Sequence, residues 1–131
     1  MSSVLLDTHA WIWSLMAPDR LAGAAREAVL DADVVYVSPI SVYEVTRKVR
    51  LGKWPDMAPH VDALVTETET LTAPFTRAIA ARAGMLGWAH RDPFDRFIAS
   101  SSIELGCPLI SKDAEFDALE GTSGWRGRIW S

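Results

Sequence analysis

Three stretches of this chain are too short for a helix and too apolar for a strand with one wet face: Val4–Leu6, Val34–Val37 and Pro108–Ile110. Runs of this kind read as strands covered on both sides, the habit of parallel sheets. Segments with apolar residues at helical spacing lie between them. Thr8 to Met16 is tryptophan-rich and closed by Pro18, and Leu21, Ala25, Ala28 and Val29 mark a second stripe. Ser41 with Glu44 has the form of a capping box heading a helix through Val42, Val45 and Val49 to Gly52. A turn-rich GKWPDMAP precedes a helix from about His60 to Glu67, and a brief strand is expected near Thr70 to Thr72. Pro74 suits a first helical turn ahead of Phe75, Ile79, Ala83 and Leu86. Asp92-Pro93 opens a helix with Phe94, Phe97, Ile98, Ser101 and Leu105 on one face, stopped at Gly106, and Arg128-Ile129-Trp130 could add an edge strand. Alternating strand and helix implies an α/β fold: a parallel sheet with helices on both faces, joined by right-handed crossovers.

At 131 residues, 49% of them apolar, the chain can bury one core, so residues 1–131 are expected to form one domain. A net charge of -4 excludes a surface coated in positive charge, and any nucleic-acid contact must be local. The lone Cys107 can form neither an internal disulfide nor a thiolate metal site. With no signal peptide and no apolar run of membrane length, the expectation is a cytoplasmic protein with no membrane contact.

Acids stand where strand gives way to helix: Asp7 in VLLDTH, Glu44 in SPISVYE, Asp95 in HRDPFDRFIAS and Asp113 in PLISKD. Each has an ordinary alternative. Asp7, Asp92 and Asp113 could cap helices, and Glu44 could complete its box and pair with Lys48 one turn on. Caps are served as well by Ser, Thr or Asn, however, and the carboxyl edge of a parallel sheet is where ligands bind. Four carboxylates gathered there repel one another unless a cation neutralises them, and an all-oxygen set suits Mg²⁺ or Mn²⁺. Asp92 and Asp95 are spaced to share a helix face.

In this order and spacing, LLDTHAWIW, SPISVYEVTRKVRLGKW, HRDPFDRFIAS and PLISKDAEFD resemble the successive motifs of PIN-domain ribonucleases, and among these the VapC-like toxins of bacterial toxin–antitoxin pairs. The similarity runs from Val4 to Trp130. It implies an α/β/α domain around about five parallel strands and an Mg²⁺- or Mn²⁺-dependent endoribonuclease, usually a homodimer, silenced by a cognate antitoxin. The family's four acids fall on Asp7, Glu44, Asp95 and Asp113. Asp7 and Asp95 are the expected direct metal ligands. Glu44 and Asp113 would bind metal or orient and deprotonate water, and Asp92 is a water-mediated ligand or a cap. Thr8 would hold a carboxylate or a water, or serve as a capping hydroxyl.

Positive charge collects beside these acids. Arg47, Lys48 and Lys53 (with Arg50), and Arg96 and Lys112 (with Arg91), are candidate contacts to the RNA backbone, although a solvated helix face accounts equally for the first group. Lys48 and Arg96 could instead neutralise the acids. His9 and His90 are expected to make structural hydrogen bonds. Trp11, Trp13, Trp54 and Trp88 could stack on bases, or belong to the core or an interface.

Three other functions share parts of this pattern: an RNA-processing PIN nuclease without a toxin role, a metal-binding module without catalysis, and a phospho-acceptor domain. The last needs an adjacent acidic pair after the first strand, where this chain has Thr8 and His9.

Overall fold

The computed structural model describes residues 2–66 and 69–131. Five short strands form one wholly parallel sheet: β1 (Ser3–Leu6), β2 (Val34–Val37), β3 (Leu71–Thr72), β4 (Leu109–Ile110) and β5 (Arg128–Ile129), in the order β3-β2-β1-β4-β5. Around it lie α1 (Thr8–Met16), α2 (Gly23–Asp31), α3 (Pro39–Arg50), α4 (Val61–Thr66), α5 (Arg77–Met85) and α6 (Pro93–Leu105). Short 3-10 segments run over Pro18–Arg20, Pro55–His60 and Ala114–Leu119. The expected end of α4 at Glu67 lies outside the described residues.

Side chains alternate across the pleat and build two cores. Val4, Leu6, Val37 and Ile110 pack with Ala10, Trp11, Ile12, Ala25, Val45 and Leu64 from α1 to α4. Leu5 and Leu109 face the other way, onto Ile98 and Ala99 of α6 and onto Trp88, Phe116 and Leu119. Burying a large apolar side chain contributes roughly 1.5 to 3 kcal/mol, so the sheet is held mainly through its faces. Ser100, Ser101 and Ser102 of α6 are fully buried, and their hydroxyls donate to the carbonyls of Ile79, Phe97 and Cys107 at 2.7, 2.9 and 2.7 Å.

Two helix starts differ from expectation. α3 begins at Pro39, capped by the Ser38 hydroxyl, which accepts from the Ile40 N–H at 3.1 Å. Proline at the first helical position needs no N–H partner, and this start takes precedence over the Ser41–Glu44 box. The Ser41 hydroxyl accepts from Thr8 at 3.0 Å, tying the starts of α1 and α3 together. α5 begins after Thr76, whose hydroxyl accepts from the Ile79 N–H at 3.2 Å, so Pro74 and Phe75 precede the helix. The phenyl ring of Phe75 packs edge-on against Phe97.

Candidate active site

In the sheet register Leu6 pairs with Val37 on one side and with Ile110 on the other. The next residues, Asp7, Ser38 and Ser111, therefore leave the sheet at one level. β2 and β3 lie on one side of β1, β4 and β5 on the other. The crevice above β1 and β4 is thus the topological switch point of the sheet.

Asp7 caps α1, its Oδ1 accepting from the Ala10 N–H at 2.8 Å. Only 9% of the residue is exposed, and burial raises its pKa despite hydrogen bonds from the Ser111 side chain and Ala10. Nearby Glu44 pushes in the same direction. Glu44 is itself buried, within α3, the helix that follows β2, and pairs with Lys48 Nζ at 3.2 Å. That ammonium also lies 4.4 Å from the ring centre of Trp54.

Asp95 lies in the first turn of α6, which Asp92 caps by accepting from the Phe94 N–H at 2.9 Å. His90 Nε2 stands 2.6 Å from Asp95 Oδ2. Burial, more than the neighbouring Asp92 and Asp113, pushes the Asp95 pKa up to about 6, against the lowering effect of His90. The hydrogen bond to Asp95 in turn raises the pKa of His90. Asp113 caps the Ala114–Leu119 segment through the Glu115 N–H at 2.9 Å and stays exposed.

His90, Asp95 and Asp113 each offer a ligand atom, all within 4.8 Å of one another. Ser111 joins this group to Asp7, because its hydroxyl bonds the Asp7 carboxyl and accepts from the Asp113 N–H at 3.0 Å. Asp7 and Glu44 thus form one neighbourhood, and Asp95, Asp113 and His90 a second, with Ser111 between them. Oxygen donors dominate the set, and two of its carboxyls are costly to ionise in place. Such a set fits a hard divalent cation.

Some expected contacts fall elsewhere. Arg96 does not face the crevice as a free cation: its guanidinium donates to the carbonyls of Ala83, Leu86, Trp88 and His90 at 2.7 to 3.0 Å. It pins the segment that carries His90, in place of the expected phosphate contact. Thr8 bonds Ser41 and neither caps a helix nor holds a carboxylate. Trp11 and Trp88 are core residues. Lys53 and Lys112 are exposed and Arg47 is half-buried. His9 meets the rings of Trp13 and Trp54 at 5.6 and 5.4 Å. No spacing in the sequence marks His90 or Ser111 as a member of the acidic cluster; the one signal is a histidine next to the DPFD motif.

The PIN domain family model matches residues 4–121. The chain belongs to the PIN-domain family. This PIN domain is 34% identical over 115 residues to Ribonuclease VapC22 of Mycobacterium tuberculosis, covering 86% of this chain and 88% of that protein. In structure it resembles VapBC2 of Rickettsia felis bound to a DNA fragment from its promoter, with a TM-score of 0.67 and 17% identity over 98% of this chain and 99% of that one. It also resembles VapBC-5 of Mycobacterium tuberculosis, with a TM-score of 0.66 and 21% identity over 98% and 100% of the two chains. The parallel α/β sheet expected from the alternating strands and helices is observed, and the PIN fold implied by the motif resemblance is the one shared with these proteins. Among the described residues, no helix is long and apolar enough to cross a membrane.

Proposed function

We propose that residues 1–131 act as one cytoplasmic PIN-domain endoribonuclease, dependent on Mg²⁺ or Mn²⁺, which serves as the toxin of a toxin–antitoxin pair and works as a homodimer held in check by a cognate antitoxin. The observation that carries the nuclease reading is the gathering of Asp95, Asp113 and His90 within 4.8 Å, linked through Ser111 to buried Asp7. The VapC22 relative supports ribonuclease chemistry, and the VapBC neighbours support a protein partner.

Asp7 and Asp95 would hold the cation, with Glu44, Asp113 and Asp92 as further ligands, direct or through water. When bound, a divalent ion supplies positive charge for the phosphate oxygens and acidifies an attacking water. The chain's own groups do the positioning. The Ser111 hydroxyl and the Ala10 N–H fix the Asp7 carboxylate, and the hydrogen bond between His90 Nε2 and Asp95 Oδ2 at 2.6 Å fixes Asp95. Lys48 Nζ, 3.2 Å from Glu44, orients that carboxylate within α3.

The test is cleavage of single-stranded RNA by the purified chain with Mg²⁺, with Mn²⁺ and with EDTA. Cleavage should require a divalent ion, and Asp7→Asn should reduce it at least a hundredfold while leaving the circular dichroism spectrum unchanged. Equal cleavage in EDTA rejects the reading.

A further inference from the structure

Among the described residues, His90 is the one nitrogen donor in the group that brings Asp95 and Asp113 together. Its Nε2 stands 2.6 Å from Asp95 Oδ2, and the three side chains each offer a ligand atom within 4.8 Å of the others. A histidine that served only to orient Asp95 need not come near Asp113, yet this one lies within reach of both.

The imidazole is also held on its other sides. Arg96 donates to the carbonyls of Trp88 and His90 at 2.7 and 3.0 Å, which fixes the backbone that carries the ring. The ring itself packs on the Trp88 indole, with centres 4.8 Å apart. Its second nitrogen, Nδ1, lies 3.9 Å from Oε2 of Glu115, an exposed carboxylate that a small side-chain rotation brings into hydrogen-bond range. Metal-ligating histidines ordinarily donate one ring N–H to such an outer carboxylate, and the donation leaves the other nitrogen's lone pair for the ion. With the hydrogen on Nδ1, toward Glu115, the lone pair belongs to Nε2, the nitrogen that faces the acids.

We propose that His90 Nε2 is a direct ligand of the divalent cation, alongside Asp95 and Asp113, and that it selects Mn²⁺ over Mg²⁺. Mg²⁺ keeps oxygen ligands and sheds its water reluctantly, whereas first-row transition ions accept imidazole. The carboxylates beside His90 suit Mn²⁺ as well as Mg²⁺, so the set discriminates through its one nitrogen. Glu115 acts through His90, by fixing the tautomer. The inference rests on the reading of the acids as a metal centre and goes beyond it in the donor atom and in the choice of ion.

The experiment titrates Mn²⁺ into the purified full chain, grown with natural or isotopically labelled histidine. Free Mn²⁺ is read by electron paramagnetic resonance, bound Mn²⁺ by electron spin-echo envelope modulation, and Mg²⁺ affinity by competition. Modulation from a histidine nitrogen should be present in the parent and absent from His90→Gln, which excludes His9 and His60 as its source. The parent should prefer Mn²⁺, and His90→Gln, which offers an oxygen instead, should narrow that preference by about tenfold or more, with Glu115→Gln weakening Mn²⁺ by about tenfold. Bound Mn²⁺ without histidine modulation, modulation that survives in His90→Gln, or an unaltered Mn²⁺ preference in that variant overturns the proposal and leaves His90 as a hydrogen-bond partner of Asp95. Absence of any Mn²⁺ binding overturns it as well. RNA cleavage by the same samples is scored separately. Histidine modulation without cleavage in any divalent ion rejects the nuclease reading and upholds the ligand; cleavage without histidine modulation does the reverse.

Discussion

His90 Nε2 and Asp95 Oδ2 lie 2.6 Å apart, and the carboxyl in this pair is pushed up to about 6 by burial. In the unfolded chain Asp95 has its ordinary value of 3.8, so between the two values the folded state binds more protons. The stability of the metal-free protein contributed by this group is therefore present at low pH and lost as pH rises to about 6. His90, also raised, works in the same direction: its contribution is full below 6.5 and disappears as pH rises through its folded value. Asp95→Asn should remove the Asp95 part of this pH dependence. In EDTA at neutral pH it should stabilise the fold by on the order of 1 to 3 kcal/mol while RNA cleavage is abolished. Urea denaturation of parent and variant from about pH 4 to 8 measures both effects; a variant less stable than the parent at neutral pH contradicts them.

Arg96→Lys is expected to act on the fold. Four carbonyls share one planar guanidinium, and an ammonium with a different shape and fewer donors cannot serve all of them. Destabilisation by about 2 to 4 kcal/mol in denaturant titration is expected, with the salt dependence of RNA binding by the folded fraction unchanged. A flatter salt dependence at full stability would return Arg96 to the phosphate-binding set.

Lys53→Ala and Arg47→Ala should each flatten the plot of log affinity against log salt for single-stranded RNA, by roughly 0.7 for every phosphate the side chain neutralises. Lys48→Ala should flatten it less, because its charge already faces Glu44. Equal slopes in all three variants and the parent would place the RNA on another face.

Expression of the chain alone should arrest bacterial growth, and co-expression of the small adjoining gene should restore it. The Asp7→Asn chain should be harmless at the same protein level. An active, well-expressed parent that leaves growth untouched would move the assignment to RNA processing.

The strands are legible in the sequence because three of them carry unbroken apolar runs, the mark of a sheet covered on both faces. The caps at Asp92 and Gly106 are equally legible, since Pro93 fixes the first turn of α6 and Gly106 takes a φ of 67° that other residues rarely adopt. The start of α3 is harder to read, because Ser38 and Ser41 both head plausible caps. Thr8 settles the matter by engaging Ser41 from 33 residues away, a distance no local pattern conveys. His90 lies in an extended connection between α5 and α6, where no periodicity marks its side chain. Its position depends on Arg96 gripping the carbonyls on that connection, and a cation used for this purpose looks in sequence the same as one awaiting phosphate.

The central place of β1 affects when the chain can become active. Asp7 directly follows the first strand, yet its N–H donates to the Ile110 carbonyl at 3.1 Å and its carboxyl waits for Ser111. A ribosome has thus made the opening acid of the crevice long before it makes the strand that completes the other wall. Contacts so distant in sequence form late, after a large loop has closed. A nascent chain halted between α3 and α6 would carry Asp7 and Glu44 without Asp95 and Asp113, and the cell would be spared a working nuclease on every such unfinished copy.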